Sequence, residues 1–150
     1  MKFNNSHVDL DEIEEFTIAH YEDNAESFQV GTKDHDVSQN IDAFLSALPK
    51  EKNLDILDFG CGPGRDMCVF KSMGHRPVGL DGSKEFCKMA ELQSDCPTLN
   101  QQFLNLKLEE KSFDGIFSNA SLFHVPSKEL PRVLNELHCA LRKDGILFSS

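Results

Sequence analysis

Apolar positions change rhythm along this 150-residue chain near residue 54. Before it they step as on helices. In "DLDEIEEFTIAHYEDNAESF", apolar or aromatic residues fall at Leu10, Ile13, Phe16, Ile18 and Tyr21, an imperfect helical stripe. In "DVSQNIDAFLSALP" the stripe is cleaner, with Val37, Ile41, Phe44, Leu45 and Leu48, and Pro49 stops it. After residue 54, short apolar runs alternate with helical stretches. "LDILDF" (54–59), "RPVGLD" (76–81), "TLNQQFL" (98–104), "FDGIFSN" (113–119) and "ILFSS" (146–150) are predicted strands. "GRDMCVFKSMG" (64–74) and "SKEFCKMAELQ" (83–93) are predicted helices, the second capped by Ser83. "SKELPRVLNELHCALRKDG" (127–145) is predicted as one helix. Ser127 caps it, and Pro131 sits in its first turn, where a missing N–H costs little. Arg142 and Lys143 suit its negative end, and Gly145 closes it.

Strands alternating with helices predict an α/β fold with a doubly wound, mostly parallel sheet. The predicted organisation is an N-terminal helical lid over residues 1–50 and a ligand-binding core over residues 51–150. Such sheets bind ligands outside the carboxyl ends of the strands, where strand order reverses. The first strand leads straight into "GCGPG", with glycines at 60, 62 and 64. Ordered glycine costs backbone entropy, so three in five residues point to a ligand lying almost on the backbone.

Composition narrows the ligand. The net charge is −10, with ten acids and two lysines in residues 1–36 and near balance afterwards. An acidic chain without a basic stripe argues against nucleic acid and anionic membrane as partners. The acidic N-terminal run reads as a solvated helix face. No apolar run approaches the ~20 residues of a membrane span, and "MKFNNSHVDLDEIEEF" lacks a signal-peptide core, so a cytoplasmic location is expected. Five cysteines without a CxxC suggest neither a disulfide framework nor a zinc site, and they read as reduced, mostly buried thiols. The histidines have no metal-ligand spacing, so no metal is expected.

The glycine spacing is G-x-G-x-G followed by Arg65, with Asp58 two residues upstream and Asp81 ending the second strand. A dinucleotide fold would show G-x-G-x-x-G. "LDFGCGPGRD", "VGLDGS", "FDGIFSNASLFHVP" and "LHCALRKDGILFSS", in that order, resemble the class I S-adenosylmethionine-dependent methyltransferases over residues 54–150. The resemblance implies a Rossmann-like fold and S-adenosylmethionine as cofactor. Gly60, Cys61, Gly62, Gly64 and Arg65 would form the loop around its methionine part, where a Cβ at the glycines would collide. Asp58 carries charge opposite to the ammonium. Asp81, followed by Gly82, would accept from the ribose hydroxyls. Family members usually have an acid at the end of the third strand for the adenine amino group. Here Gln102 aligns with it, its carbonyl able to accept the same bond, with the Phe103 amide beside the ring. Asn119 and Ala120 would lie near the transferred methyl. His124 is the candidate base, with loop-bracing as the alternative role.

The N-terminal "Y-x-x-N-A-x-x-F" around Tyr21, with "TKDHDVSQNI" and "SLFHVP", is similar to the methyltransferase domain of ovothiol-synthesising enzymes, which methylate an imidazole nitrogen of a thiohistidine. That implies a small-molecule acceptor, with Tyr21 and Lys33 near the substrate or the methionine carboxylate. The class I fold continues with another helix and two strands, so the chain is expected to be a fragment lacking the last two strands and prone to self-association through its exposed fifth strand. Three functions stay open: a methyltransferase, a cofactor-binding remnant without turnover, and a nicotinamide-dependent oxidoreductase.

Overall fold

The first strand, β1 (Asp55–Phe59), buries both of its faces, as a central parallel strand must. Ile56 points to one side of the sheet and Leu57 and Phe59 to the other, and each side carries its own cluster. The computed structural model describes residues 9–32, 36–51 and 53–150. The strands that follow are β2 (Arg76–Asp81), β3 (Thr98–Asn100), β4 (Phe113–Ser118) and β5 (Leu141–Ser149). They form a five-stranded sheet in the order β3-β2-β1-β4-β5, with every pairing parallel. Strand order reverses between β1 and β4, which places the crevice expected for a ligand at their carboxyl ends.

Among the described residues, six α-helices accompany the sheet: α1 (Leu10–Asp23), α2 (Ala25–Thr32), α3 (Ser38–Ala47), α4 (Arg65–Ser72), α5 (Lys84–Ser94) and α6 (Leu130–Ala140). On one face Ile41, Phe44 and Leu48 of the α3 segment meet Ile56, Phe70 and Phe117. On the other, Val133, Leu137 and Ala140 of α6 meet Leu57, Phe59, Leu80 and Ile116, and the segment 103–108 packs beside them. α3 is thus part of the sheet's helical layer, whereas α1 and α2 stand over its carboxyl end. The N-terminal apolar stripe is two helices rather than one, interrupted at Asn24, whose side-chain amide donates to the His20 carbonyl.

Three expected boundaries are corrected. β3 ends at Asn100 instead of 104, because Gln101 leaves the ladder and its side chain clasps the backbone of Lys107. Helix α6 starts at Leu130, without a Ser127 cap, and ends at Ala140. Leu141 already pairs with Phe113, and the register then jumps to Gly115 opposite Ile146. Asp144 (φ +63°) makes the left-handed turn expected at Gly145. Arg142 therefore leaves the helix end and bridges Asp55 and Asp114 at 2.8 and 2.9 Å. All five cysteines are free, but only Cys61 and Cys87 are buried and Cys139 is exposed. Among the described residues no helix is long and apolar enough to cross a membrane, and no cluster of metal-ligand side chains occurs.

Candidate active site

A cavity of about 420 Å³ opens where β1, β2 and β4 end, and α1 and α2 roof it. Its floor is the loop between β1 and α4. The Gly60 and Cys61 amides both donate to the Leu80 carbonyl, at 2.8 and 3.0 Å, tying the loop to β2. The three glycines have separate reasons to be there. A Cβ on Gly60 would strike Ser121, and one on Gly64 would come within 2.7 Å of Ala90 in α5. Only Gly62 (φ +51°) faces open space, with Phe28 3.8 Å from where a Cβ would stand. Gly60 and Gly62 line the cavity and Gly64 does not, so the expected room for a ligand falls on two of the three, while Gly60 and Gly64 also serve packing against Ser121 and Ala90.

Acids surround the loop. Asp81 lines the cavity, and its carboxylate oxygens accept from Gly62 N–H at 3.0 Å and Ser83 N–H at 2.9 Å. Burial pushes its pKa up, and those amides oppose the shift. Asp58 is 3% exposed and lies behind the cavity wall, with Oδ2 unpartnered. Burial, with Asp66 and Asp81 nearby, holds its carboxyl well above the usual range. Asp66, in the first turn of α4, lines the cavity and pairs with Arg65 at 2.9 Å. Sequence reasoning missed it, although an acid in the turn after a glycine loop was the signal.

Across the cavity, two candidate residues 103 positions apart meet. The Tyr21 hydroxyl and His124 Nε2 share a hydrogen bond of 3.1 Å, with the rings edge to face. Burial lowers the His124 pKa and raises that of Tyr21, the latter helped by Asp81. Both residues therefore favour their neutral forms. Phe28 and Phe86 complete an aromatic cluster around Tyr21. Asn119 also lines the wall, its Oδ1 accepting from Asn40 Nδ2 and from Ser150 Oγ, each at 2.8 Å. Beneath it, Ser121 Oγ donates to the Phe59 carbonyl, so the short contact with Ser118 Oγ at 2.7 Å must use the Ser118 proton.

Of the remaining candidates, Gly82 and Phe103 line the cavity and Gln102 does not. Lys33 lies outside the described residues. The residues missed include three on α1: Glu14, Thr17 and Ile18 face inward together with Tyr21, at the spacing of one helical stripe. Glu14 Oε1 accepts from Leu104 N–H at 3.1 Å, while Oε2 is buried without a partner.

Comparison with known proteins fits this geometry. Malonyl-[acyl-carrier protein] O-methyltransferase of Pectobacterium atrosepticum is 31% identical over 69% of this chain and 40% of its own length. Arginine-hydroxylase NDUFAF5 of mouse mitochondria is 32% identical over 60% of this chain and 26% of its own. The chain thus spans less than half the length of these curated relatives. A Burkholderia thailandensis 1,6-didemethyltoxoflavin-N1-methyltransferase, solved with bound 1,6-didemethyltoxoflavin and S-adenosylhomocysteine, superposes with a TM-score of 0.73 at 21% identity, over 96% of this chain and 66% of its own. The family model described as "Methyltransferase domain" matches residues 57–149, from within β1 through the loop, Asp81 and His124 to the end of β5, and the chain belongs to that family.

Proposed function

We propose that the chain forms the cofactor-binding part of an S-adenosylmethionine-dependent methyltransferase acting on a small-molecule acceptor. The observation that carries this reading is the cavity itself. A glycine with positive φ faces it at the carboxyl end of β1, and an acid ending β2 grips that glycine's amide. The residues suit the cofactor. Open space over Gly62 admits a ligand against the backbone, and Asp66 and Asp81 supply negative charge to a cationic one. Gly60 to Arg65 would hold the methionine part, with the Asp58 side chain behind them. Asp81 would hold the ribose, and Phe103 would flank the base. When bound, the cofactor supplies a methyl group on a sulfonium, already activated for transfer to a nucleophile.

The protein's main task is then alignment, which can supply ~7–11 kcal/mol of a barrier. Tyr21 and His124 stand opposite the loop, beside Asn119 and Ala120. A neutral His124 can take a proton relayed through the Tyr21 hydroxyl when the acceptor arrives protonated. The same bond also braces α1 against the loop after β4. An imidazole nitrogen of a thiohistidine is the first acceptor to try, supported by the "Y-x-x-N-A-x-x-F" segment around Tyr21. A second reading, cofactor binding without methyl transfer, is favoured by the relative named as an arginine hydroxylase.

Calorimetric titration with S-adenosylmethionine tests the site, using Gly62→Val, which strains a left-handed backbone and fills the open space. Binding by the parent and its loss in a folded variant is the expected result. Equal affinity in both would remove the loop from the site. Turnover with a panel of small amines, thiols and imidazoles then separates the two readings.

A further inference from the structure

Acid crowds the floor of the cavity. Asp66 and Asp81 line it, and Asp58 lies behind its wall at 3% exposure. Arg65, already paired with Asp66 at 2.9 Å, is the only lysine or arginine in the lining among the described residues. Like charges held together out of water cannot all ionise freely. One of the three carboxyls has to keep its proton at a pH where an exposed acid would lose it.

The geometry selects Asp58. Asp81 receives two backbone amides, from Gly62 and Ser83, and Asp66 receives the Arg65 guanidinium. Asp58 has no such donor: its Oδ2 is enclosed without a partner, and its neighbours across the sheet are Gly79 on β2 and Phe117 on β4. Burial, then the charges of Asp66 and Asp81, push its carboxyl up, and only Arg65 opposes them. Nothing else around it supplies positive charge. Burial keeps the Cys61 and Cys87 thiols neutral. On the cavity side, Tyr21 and His124 favour their neutral forms, and Glu14 is a further acid.

We propose that Asp58 senses the charge of the cofactor: it holds a proton while the cavity is empty and gives it up when S-adenosylmethionine brings positive charge against Asp66 and Asp81. The proposal rests on the methyltransferase reading of the cavity. Asp58 touches no ligand and acts through the two acids in front of it. S-adenosylhomocysteine has the same ammonium, carboxylate and adenosine but lacks the sulfonium charge, so it displaces less of the proton. A proton that must leave opposes binding at low pH. Affinity for the charged cofactor therefore rises with pH relative to its demethylated product. The chain gains a means of telling the two apart without a contact to the methyl group.

The test is calorimetric titration of both ligands at about pH 6.5, below the range of a free α-amino group, in two buffers of different ionisation enthalpy. The pair of buffers counts the protons released. S-adenosylmethionine should release more than S-adenosylhomocysteine, and its affinity relative to that ligand should rise with pH by up to about tenfold per unit, the limit for one proton. In Asp58→Asn the two counts should become equal and the affinity ratio should stop changing with pH. A merely structural role for Asp58 would shift both affinities and leave the count difference intact. Infrared difference spectra give a second readout that does not depend on the variant: adding S-adenosylmethionine to the parent should remove a protonated-carboxyl band. Equal counts in the parent, a difference that survives in Asp58→Asn, or a carboxyl band that persists in the bound parent each overturns the proposal. A parent that binds neither ligand overturns the methyltransferase reading, and this proposal with it.

Discussion

Helices α1 and α3 lie in the same N-terminal third, and both carry an apolar stripe, yet they are held by different forces. α3 buries Ile41 and Phe44 in the cluster under the sheet, and Phe44 is fully enclosed between the rings of Phe70 and Phe117. α1 buries no residue, and its Phe16 is 77% exposed. α1 is fixed by directional contacts instead: Glu14 to Leu104 N–H, Tyr21 to His124, and Glu22 to Lys84 N–H. Each such bond is worth only about 0.5–1.5 kcal/mol net. A helix over a core is secured by area, whereas a helix over a cavity is secured by a few bonds and by whatever fills the cavity. Elements that cover binding sites belong to the low-stability end of a fold for this reason.

Phe44→Ala attacks the better-secured helix and should show the largest effect, a loss of about 3–5 kcal/mol in chemical denaturation. A loss below ~1 kcal/mol would mean that α3 contributes little to the sheet. The sheet side has a weak point of its own at Asp58, whose buried Oδ2 has no partner. Its pKa is raised in the fold, so its contribution to stability is full below the unfolded value of about 3.9 and is lost as pH rises through the folded value. Asp58→Asn, uncharged throughout, should be more stable than the parent at pH 7. Melting curves should show that gain shrinking towards pH 3, and a pH-independent change would rule out the charge as its cause.

Tyr21→Phe should release one anchor of α1, at a cost of about 1 kcal/mol, read as faster amide exchange along α1 with β1 unaffected. Uniform acceleration across the chain would show that α1 and the sheet open together. Phe16→Ser should change stability by less than about 0.5 kcal/mol despite removing a large aromatic ring, because that ring faces solvent.

The same contrast explains what could be read from the sequence. β1, β2 and β4 were legible because short segments built on Ile, Leu, Val and Phe alternate with helical stretches, and the glycine loop because its spacing is local. α6 was read about five residues too long at its C-terminal end because Leu141 continues the spacing of Leu130, Leu134 and Leu137, although its role is to pair with Phe113 at the start of β5. Glu14 was not legible. It sits in a run of acids that reads as a solvated face, and its partner lies 90 positions away. Tyr21 and His124 were each singled out locally, but their meeting is a tertiary fact. Gln102 had the right place in the chain but stands outside the cavity wall.

Gly60 and Ser121 occupy the same small volume. The room left by the missing Cβ is filled by a serine whose hydroxyl ties β1 to the loop after β4. Position 60 is held by two independent constraints, the Ser121 side chain and its own φ of +79°, so shrinking 121 does not open it to other residues. A shrunken 121 gives up the bond to Phe59 and gains nothing at 60. Along a lineage that keeps this loop, 60 should therefore stay glycine while 121, 61 positions away in the chain, is the only one of the two that can vary.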